Sequence, residues 1–236
     1  MGRTNDAAYY QDISDRTKAA IQKEYFNEDG SVNIRTQTAH VLALVFDLTK
    51  EEHRPAVGKA LVKLLEQSNM HLQTGFVGTP FLCRGLSEAG YTEAAYMLLF
   101  QNDFPSWLYE VDMGATTIWE RWNSVLPDGK ISGTGMNSLN HYTYGSIVQW
   151  MYEHICGVTL TAPGFKAFRI RPEFSKRFTH VSMRYHSPMG IIETGWEQTN
   201  VGYQVTVTVP FDTTAVLELP NRQPITLTPG RHAVTV

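Results

Sequence analysis

The sequence predicts a chain of mixed class, with a helical half over residues 1–156 followed by a small antiparallel β-sandwich over residues 157–236. Three observations carry this. Apolar residues recur at helical steps through the first half, the pattern changes to alternation after Gly157, and Pro or Gly turns punctuate the remainder at short intervals. About seven helices in antiparallel pairs fit the layers of an α/α toroid, and about seven short strands fit two packed sheets. With 236 residues and 42% hydrophobic content, the chain is long enough for two cores.

The first helix is expected from about residue 7 to residue 26, where Tyr10, Ile13, Thr17, Ala20 and Ile21 recur at helical spacing and Asn27-Glu28-Asp29-Gly30 supplies the stop. Val41, Leu42, Leu44, Val45 and Phe46 are apolar around most of a helix, as a helix wedged between others requires. Thr49 followed by Glu52 has the form of a capping box for the next helix, carried by Val57, Leu61 and Leu65. Thr79 is the expected N-cap of a helix with Pro80 in its first turn and Gly90 past its end, and residues 92–100 form the one after it. Pro105-Ser106-Trp107 breaks the pattern, a short helix is expected over residues 114–124, and Pro127-Asp128-Gly129 turns the chain into a small-residue loop at 132–137. A last helix runs from residue 138 to about 156. Strands are expected around Phe168/Ile170, Val181/Met183/Tyr185, Ile191/Ile192, Val205/Val207/Val209, Val216/Leu217/Leu219, Ile225/Leu227 and Val234/Val236, with turns at 187–190 and at Pro229-Gly230.

The net charge of −3, from 20 basic and 23 acidic residues without long like-charge runs, lacks the electrostatic footprint of a nucleic-acid partner. No apolar run approaches the roughly 20 residues that cross a bilayer, and the N-terminus lacks a basic-then-apolar leader pattern, so a cytoplasmic chain without a membrane partner is expected. Cys83 and Cys156 lie in separate predicted helices and form no disulfide framework or CxxC knuckle; both are expected to be buried thiols. His40, His53, His71, His141 and His154 form no HExxH pair, which argues against a metal site. Gly133-Thr134-Gly135 lacks the third glycine of a dinucleotide grip, and Ser106 lacks the flanking glycines of a nucleophile elbow.

The most chemically loaded stretch is Gly114-Ala115-Thr116-Thr117-Ile118-Trp119-Glu120-Arg121-Trp122-Asn123-Ser124, with Ser138-Leu139-Asn140-His141-Tyr142 downstream. Sugar rings offer apolar C–H faces to indoles and hydroxyls to charged or amide groups. Trp119, Glu120, Trp122, Asn140 and His141 therefore read together as a carbohydrate subsite. The residues alone leave alternatives: the indoles, Trp107 above all, also fit a core, Arg121 fits either a substrate clamp or a helix-face ion pair, and His141 fits a satisfied buried donor.

Taken in order, HLQTGFVGTPFL, PSW, GATTIWERWNS and SLNHYTYG resemble the C-terminal part of the bacterial α-L-rhamnosidases of glycoside hydrolase family 78, over most of the chain. The resemblance implies a partial (α/α)6 toroid, with about half of the barrel's helices, ahead of the β-sandwich. It implies inverting hydrolysis of terminal α-L-rhamnose without metal or organic cofactor. In it Glu120 is the general base, His141 contacts a sugar hydroxyl, and Trp119, Trp122 and Asn140 are candidates for lining. The family's general acid belongs to an acidic, aromatic-flanked motif well upstream, and Asp6, Asp12, Asp15, Glu24, Glu28 and Asp29 do not match it. A base without its acid loses roughly 10² to 10⁴-fold in rate, so the isolated chain is expected to be weak or inactive and its parent to be the rhamnosidase. A half-barrel with bare apolar walls is also expected to self-associate. The rival reading is a non-catalytic carbohydrate-binding or structural protein derived from such an enzyme.

Overall fold

In the computed structural model, which describes residues 2–133 and 135–236, internal packing divides the chain into two units, Met1–Gly145 and Ser146–Val236. Met1 and Thr134, which belong to the leader and loop segments read above, lie outside the described residues.

The first unit is helical. It comprises α1 (Thr4–Tyr25), α2 (Gln37–Val45), α3 (Arg54–Gln67, entered through a 3-10 turn at Glu51–His53), α4 (Thr79–Glu88), α5 (Thr92–Leu99) and α6 (Trp107–Asp112). Val41, Ala43 and Leu44 of α2 are buried together with Leu61 and Leu65 of α3, Leu82 and Leu86 of α4, and Ala95, Tyr96 and Leu98 of α5. α2 is thus the wedged helix that its apolar circumference requires. No residue of α1 is buried.

Two caps differ from their expected form. Thr49 caps nothing: its hydroxyl reaches only the Lys50 carbonyl at 3.5 Å, and the 3-10 turn and α3 begin without a side-chain cap. Thr79 lies one residue inside α4, and its hydroxyl is spent on Thr74, within 2.8 Å of Thr74 Oγ1 and 3.1 Å of its carbonyl. α4 does end as its glycine demands. Gly90 has φ +85°, its N–H donates to Ser87 O and the next N–H, of Tyr91, to Leu86 O at 2.8 Å, a Schellman closure. Two Asp-Gly hairpins punctuate the unit, with bridges Phe26↔Val32 and Val125↔Ile131. In each, an aspartate (Asp29, Asp128) accepts from the amide two residues on.

The boundary falls at the end of a 3-10 turn, Thr143–Ser146, and the second unit continues with α7 (Ile147–Trp150), widening to a π turn at Met151–Ile155. The helix expected from residue 138 therefore starts later, because residues 138–142 are drawn into backbone pairing with the upstream motif. Eight strands follow: β1 (Val158–Leu160), β2 (Ala167–Ile170), β3 (His180–Ser187), β4 (Gly190–Thr199), β5 (Gly202–Val209), β6 (Thr214–Leu217), β7 (Ile225–Leu227) and β8 (Gly230–Thr235). They form two four-stranded sheets, β1-β2-β6-β7 and β3-β4-β5-β8. The second is antiparallel throughout. In the first, β2 and β6 run parallel, pairing Phe168 with Ala215 and Ile170 with Leu217, so the sheets are mixed rather than all antiparallel. Alternation cannot register this, because it reports which face a residue is on and not the direction of its neighbour. The core is Phe168, Ile170, Ile192, Trp196, Val205, Val207, Val209, Ala215, Leu217 and Leu227.

The end of the helix is tied to the strands. The orphan carbonyls of a helix C-terminus need donors, and here His154 O accepts from Glu173 N at 2.9 Å while Ile155 O accepts from the buried Trp196 Nε1 at 2.8 Å. Glu173 also returns its carboxylate to His154 Nδ1 at 2.9 Å. Gly157, at φ +80°, presses so closely on Arg171 that a Cβ would sit 2.3 Å from its carbonyl carbon. Only glycine fits there.

Candidate active site

The site is built by two turns and a clamp. α6 is short: Ser106 caps it by accepting from Tyr109 N at 3.1 Å, and Gly114, at φ +82°, ends it. Gly114 N donates to Val111 O at 2.9 Å and Ala115 N to Glu110 O at 2.9 Å, a second Schellman closure that throws the chain back along the helix. No helix forms over residues 114–124; α6 instead occupies Trp107–Asp112, where the sequence predicted a break and an approach loop. The motif itself is extended and turned, because its backbone groups pair with a distant segment instead of with themselves.

That segment is the downstream motif. Glu120 N donates to Ser138 O at 2.9 Å, His141 N donates to Ile118 O at 2.8 Å, and the Thr117 hydroxyl donates to Leu139 O. Glu120 and His141, 21 residues apart in sequence, are thereby fixed on adjoining backbones. Both are half-buried. Phe76, the end of the HLQTGF stretch, stacks on the His141 ring at 4.8 Å between centroids and 15° between planes. Its segment is wired by the buried Gln37, which donates to Ser68 Oγ and His71 O and accepts from Gln73 N at 2.7 Å. Three of the four motifs thus meet at His141, and the fourth joins the downstream motif through Trp107, whose indole donates to Tyr144 O.

The remaining candidates are distributed differently. Trp119 and Trp122 are buried, 4% and 7% exposed. Trp122 lies flat on Tyr144, centroids 4.0 Å apart and planes within 4°, and meets Trp107 edge-on at 5.3 Å. Trp107 donates its indole N–H to Tyr144 O at 2.9 Å, as a core residue. Asn140 is exposed and holds a local turn, its amide donating to Ser138 Oγ and its carbonyl accepting from it. Arg121 is not on a helix face: its Nη2 donates to Gly135 O at 2.5 Å, bracing the intervening loop. Asn137 braces it from the other side through Ser124 O and Ser132 O.

Sequence reasoning missed three groups. Phe76 and Tyr144 were legible only as aromatics in motifs. Glu110 was not singled out, although a carboxylate inside the apolar run Trp107-Leu108-Tyr109-Glu110-Val111 is an anomaly that could have marked it. It is 2% exposed, and its Oε2 accepts from Trp119 N at 3.3 Å while Oε1 has no partner. Burial pushes its pKa up to about 7, against the opposing pull of the Trp119 N–H. The Tyr144 phenol is raised by burial first, then by the charges of Glu110 and Glu120, which places all three side chains within one electrostatic neighbourhood.

Comparison with known proteins gives one consistent answer. The profile of the bacterial alpha-L-rhamnosidase 6 hairpin glycosidase domain matches residues 1–155, and that of the bacterial alpha-L-rhamnosidase C-terminal domain matches residues 157–232. An alpha-L-rhamnosidase of Streptomyces avermitilis is 42% identical over 93% of this chain, and one of an Alteromonas species 43% identical over 91%. The chain spans 21% and 24% of their lengths, about a quarter. Among solved structures, the Streptomyces avermitilis α-L-rhamnosidase complexed with L-rhamnose superposes with TM-score 0.92 at 37% identity, over 98% of this chain and 24% of that one. The Aspergillus terreus enzyme gives TM-score 0.94 at 32% identity, over 99% and 28%. With its helical residues inside a six-hairpin glycosidase domain and its strands inside the matching C-terminal domain, the chain belongs to the bacterial α-L-rhamnosidase family.

Proposed function

We propose that this chain is the C-terminal part of an inverting glycoside hydrolase that releases terminal α-L-rhamnose from glycosides, and that Glu120 is its general base. The observation that supports the reading is the backbone pairing of residues 117–120 with residues 138–141, which holds Glu120 and the Phe76-backed His141 on adjoining backbones. Glu120 takes a proton from the attacking water while the carboxylate stays half-exposed, as a base that must meet water requires. His141 and Asn140 contact sugar hydroxyls. Trp119 and Trp122 act from beneath: buried as they are, they stiffen the floor and leave sugar stacking to more exposed rings such as Phe76.

Inversion needs a second carboxyl, protonated, about 6.5 to 9.5 Å from the base across the anomeric carbon. We place it in the three quarters of the relatives' length that this chain does not span. Of the acidic residues of α1 and the turn after it, Asp6 pairs with Arg3, Asp12 with Arg16, Asp15 with Gln11 and Asp29 with Ser31. The chain alone is then feeble as a catalyst.

The test is release of the aglycone from an aryl α-L-rhamnoside by the full-length parent and by this chain. Glu120→Gln in the parent should cut kcat on the order of 10² to 10⁴-fold. A parent variant with undiminished turnover removes Glu120 from the reaction. Calorimetric binding of L-rhamnose by a parent that shows no turnover at all would favour a sugar-binding protein instead.

A further inference from the structure

We propose that Glu110 is a positioning residue for the Glu120 base: its buried carboxyl clamps the Trp119 peptide, so that the side chain of the next residue keeps one direction. The inference deepens the reading above and rests on it. The geometry is specific. The Schellman closure at Gly114 returns the chain over α6, and the Trp119 amide donates to Glu110 Oε2 at 3.3 Å. One residue later the backbone is held from the opposite side, by Glu120 N on Ser138 O. The peptide that carries the base is therefore gripped at both of its ends.

A buried carboxyl with an orphan oxygen is a costly device for holding one amide, and an asparagine or glutamine would hold it without titrating. What distinguishes the acid is its charge state. Protonated, it accepts from Trp119 N on one oxygen and adds no charge. Ionised, it places a second negative charge in the neighbourhood that Glu120 and Tyr144 share, with Oε1 desolvated and unpaired. Tyr144, in the turn at Thr143–Ser146, feels the charges of both Glu110 and Glu120, and Arg121 is turned to Gly135 O. Burial raises the Glu110 pKa to about 7, so both charge states are populated near neutral pH. The Trp119 N–H donates to the carboxyl in either charge state, and more strongly to the carboxylate, so the clamp holds across the titration. Glu110 is not the missing general acid, because at 2% exposure it cannot reach a glycosidic oxygen.

The experiment uses the full-length parent with Glu110→Ala and Glu110→Gln. It reads kcat and KM from pH 4 to 9, and hydrogen exchange by mass spectrometry over residues 115–122. Glu110→Ala should speed exchange in that peptide and lower kcat about 10- to 100-fold with KM within about threefold. Glu110→Gln, which still offers an acceptor to Trp119 N, should restore slow exchange and most of kcat at every pH. Wild-type exchange and kcat in Glu110→Ala would overturn the clamp. A loss of kcat as deep in Glu110→Gln as in Glu110→Ala would assign the carboxyl a proton-transfer role instead. Failure of the Glu120 assignment shows separately, as a fully active Glu120→Gln parent in which Glu110→Ala still speeds exchange.

Discussion

Trp122 is stacked on Tyr144 and met edge-on by Trp107, so truncating it removes the middle of a three-ring pile. Trp122→Ala should destabilise the protein by about 3–5 kcal/mol, measured as a shift in the urea midpoint at constant slope. Its indole N–H is buried without a partner, so Trp122→Phe, which keeps most of the volume and deletes that donor, should cost far less. Glu110 links the site to stability through pH. Its folded pKa is raised, so between its ordinary value near 4.5 and about 7 the native state binds the proton that the unfolded chain releases. The stability it contributes is present below that window and lost as pH rises through it, with a slope of at most about 1.4 kcal/mol per pH unit. Thermal unfolding followed from pH 5 to 8 should show the loss in the wild type and a flatter profile in Glu110→Gln. None of this was legible in the residue string. A sequence shows that Glu110 interrupts an apolar run, but only the chain reversal at Gly114 says that its carboxyl meets an amide nine positions downstream.

At the scale of elements, legibility followed how local the determinants are. α2 was readable because its apolar circumference needs no knowledge of its neighbours, and β5 because Val205, Val207 and Val209 alternate with threonines. The Gly90 stop and the Pro188-Met189 hairpin loop were readable because turn chemistry is confined to a few residues. The two motif segments were not, since each looks helical by composition and is prevented from coiling by bonds to the other. β1, three residues long, lies below what alternation can register. Gly157 marks where the pattern changes, and it is constrained twice, by φ +80° and by the Arg171 backbone. Gly157→Ala should destabilise by more than about 1 kcal/mol, read by chemical denaturation, whereas Gly135→Ala, with open space around the added methyl, should not.

For the molecule as a whole, the relevant fact is that the chain accounts for about a quarter of its relatives. α1 buries none of its 22 residues, and Tyr9 and Tyr10, at 61% and 67% exposure, form an aromatic pair on it with nothing above them. Apolar rings left in water favour association. The purified chain is expected to show concentration-dependent sedimentation, and a single 26.7 kDa species at every concentration would contradict this. The carbonyls of His154 and Ile155, satisfied by Glu173 and Trp196, bear on how the gene is best divided. A recombinant fragment whose first codon is 157 would leave the Trp196 indole nitrogen without its acceptor and should express as insoluble material. One opening at codon 146 carries its own lid for that indole and is the natural cassette for grafting onto other enzymes.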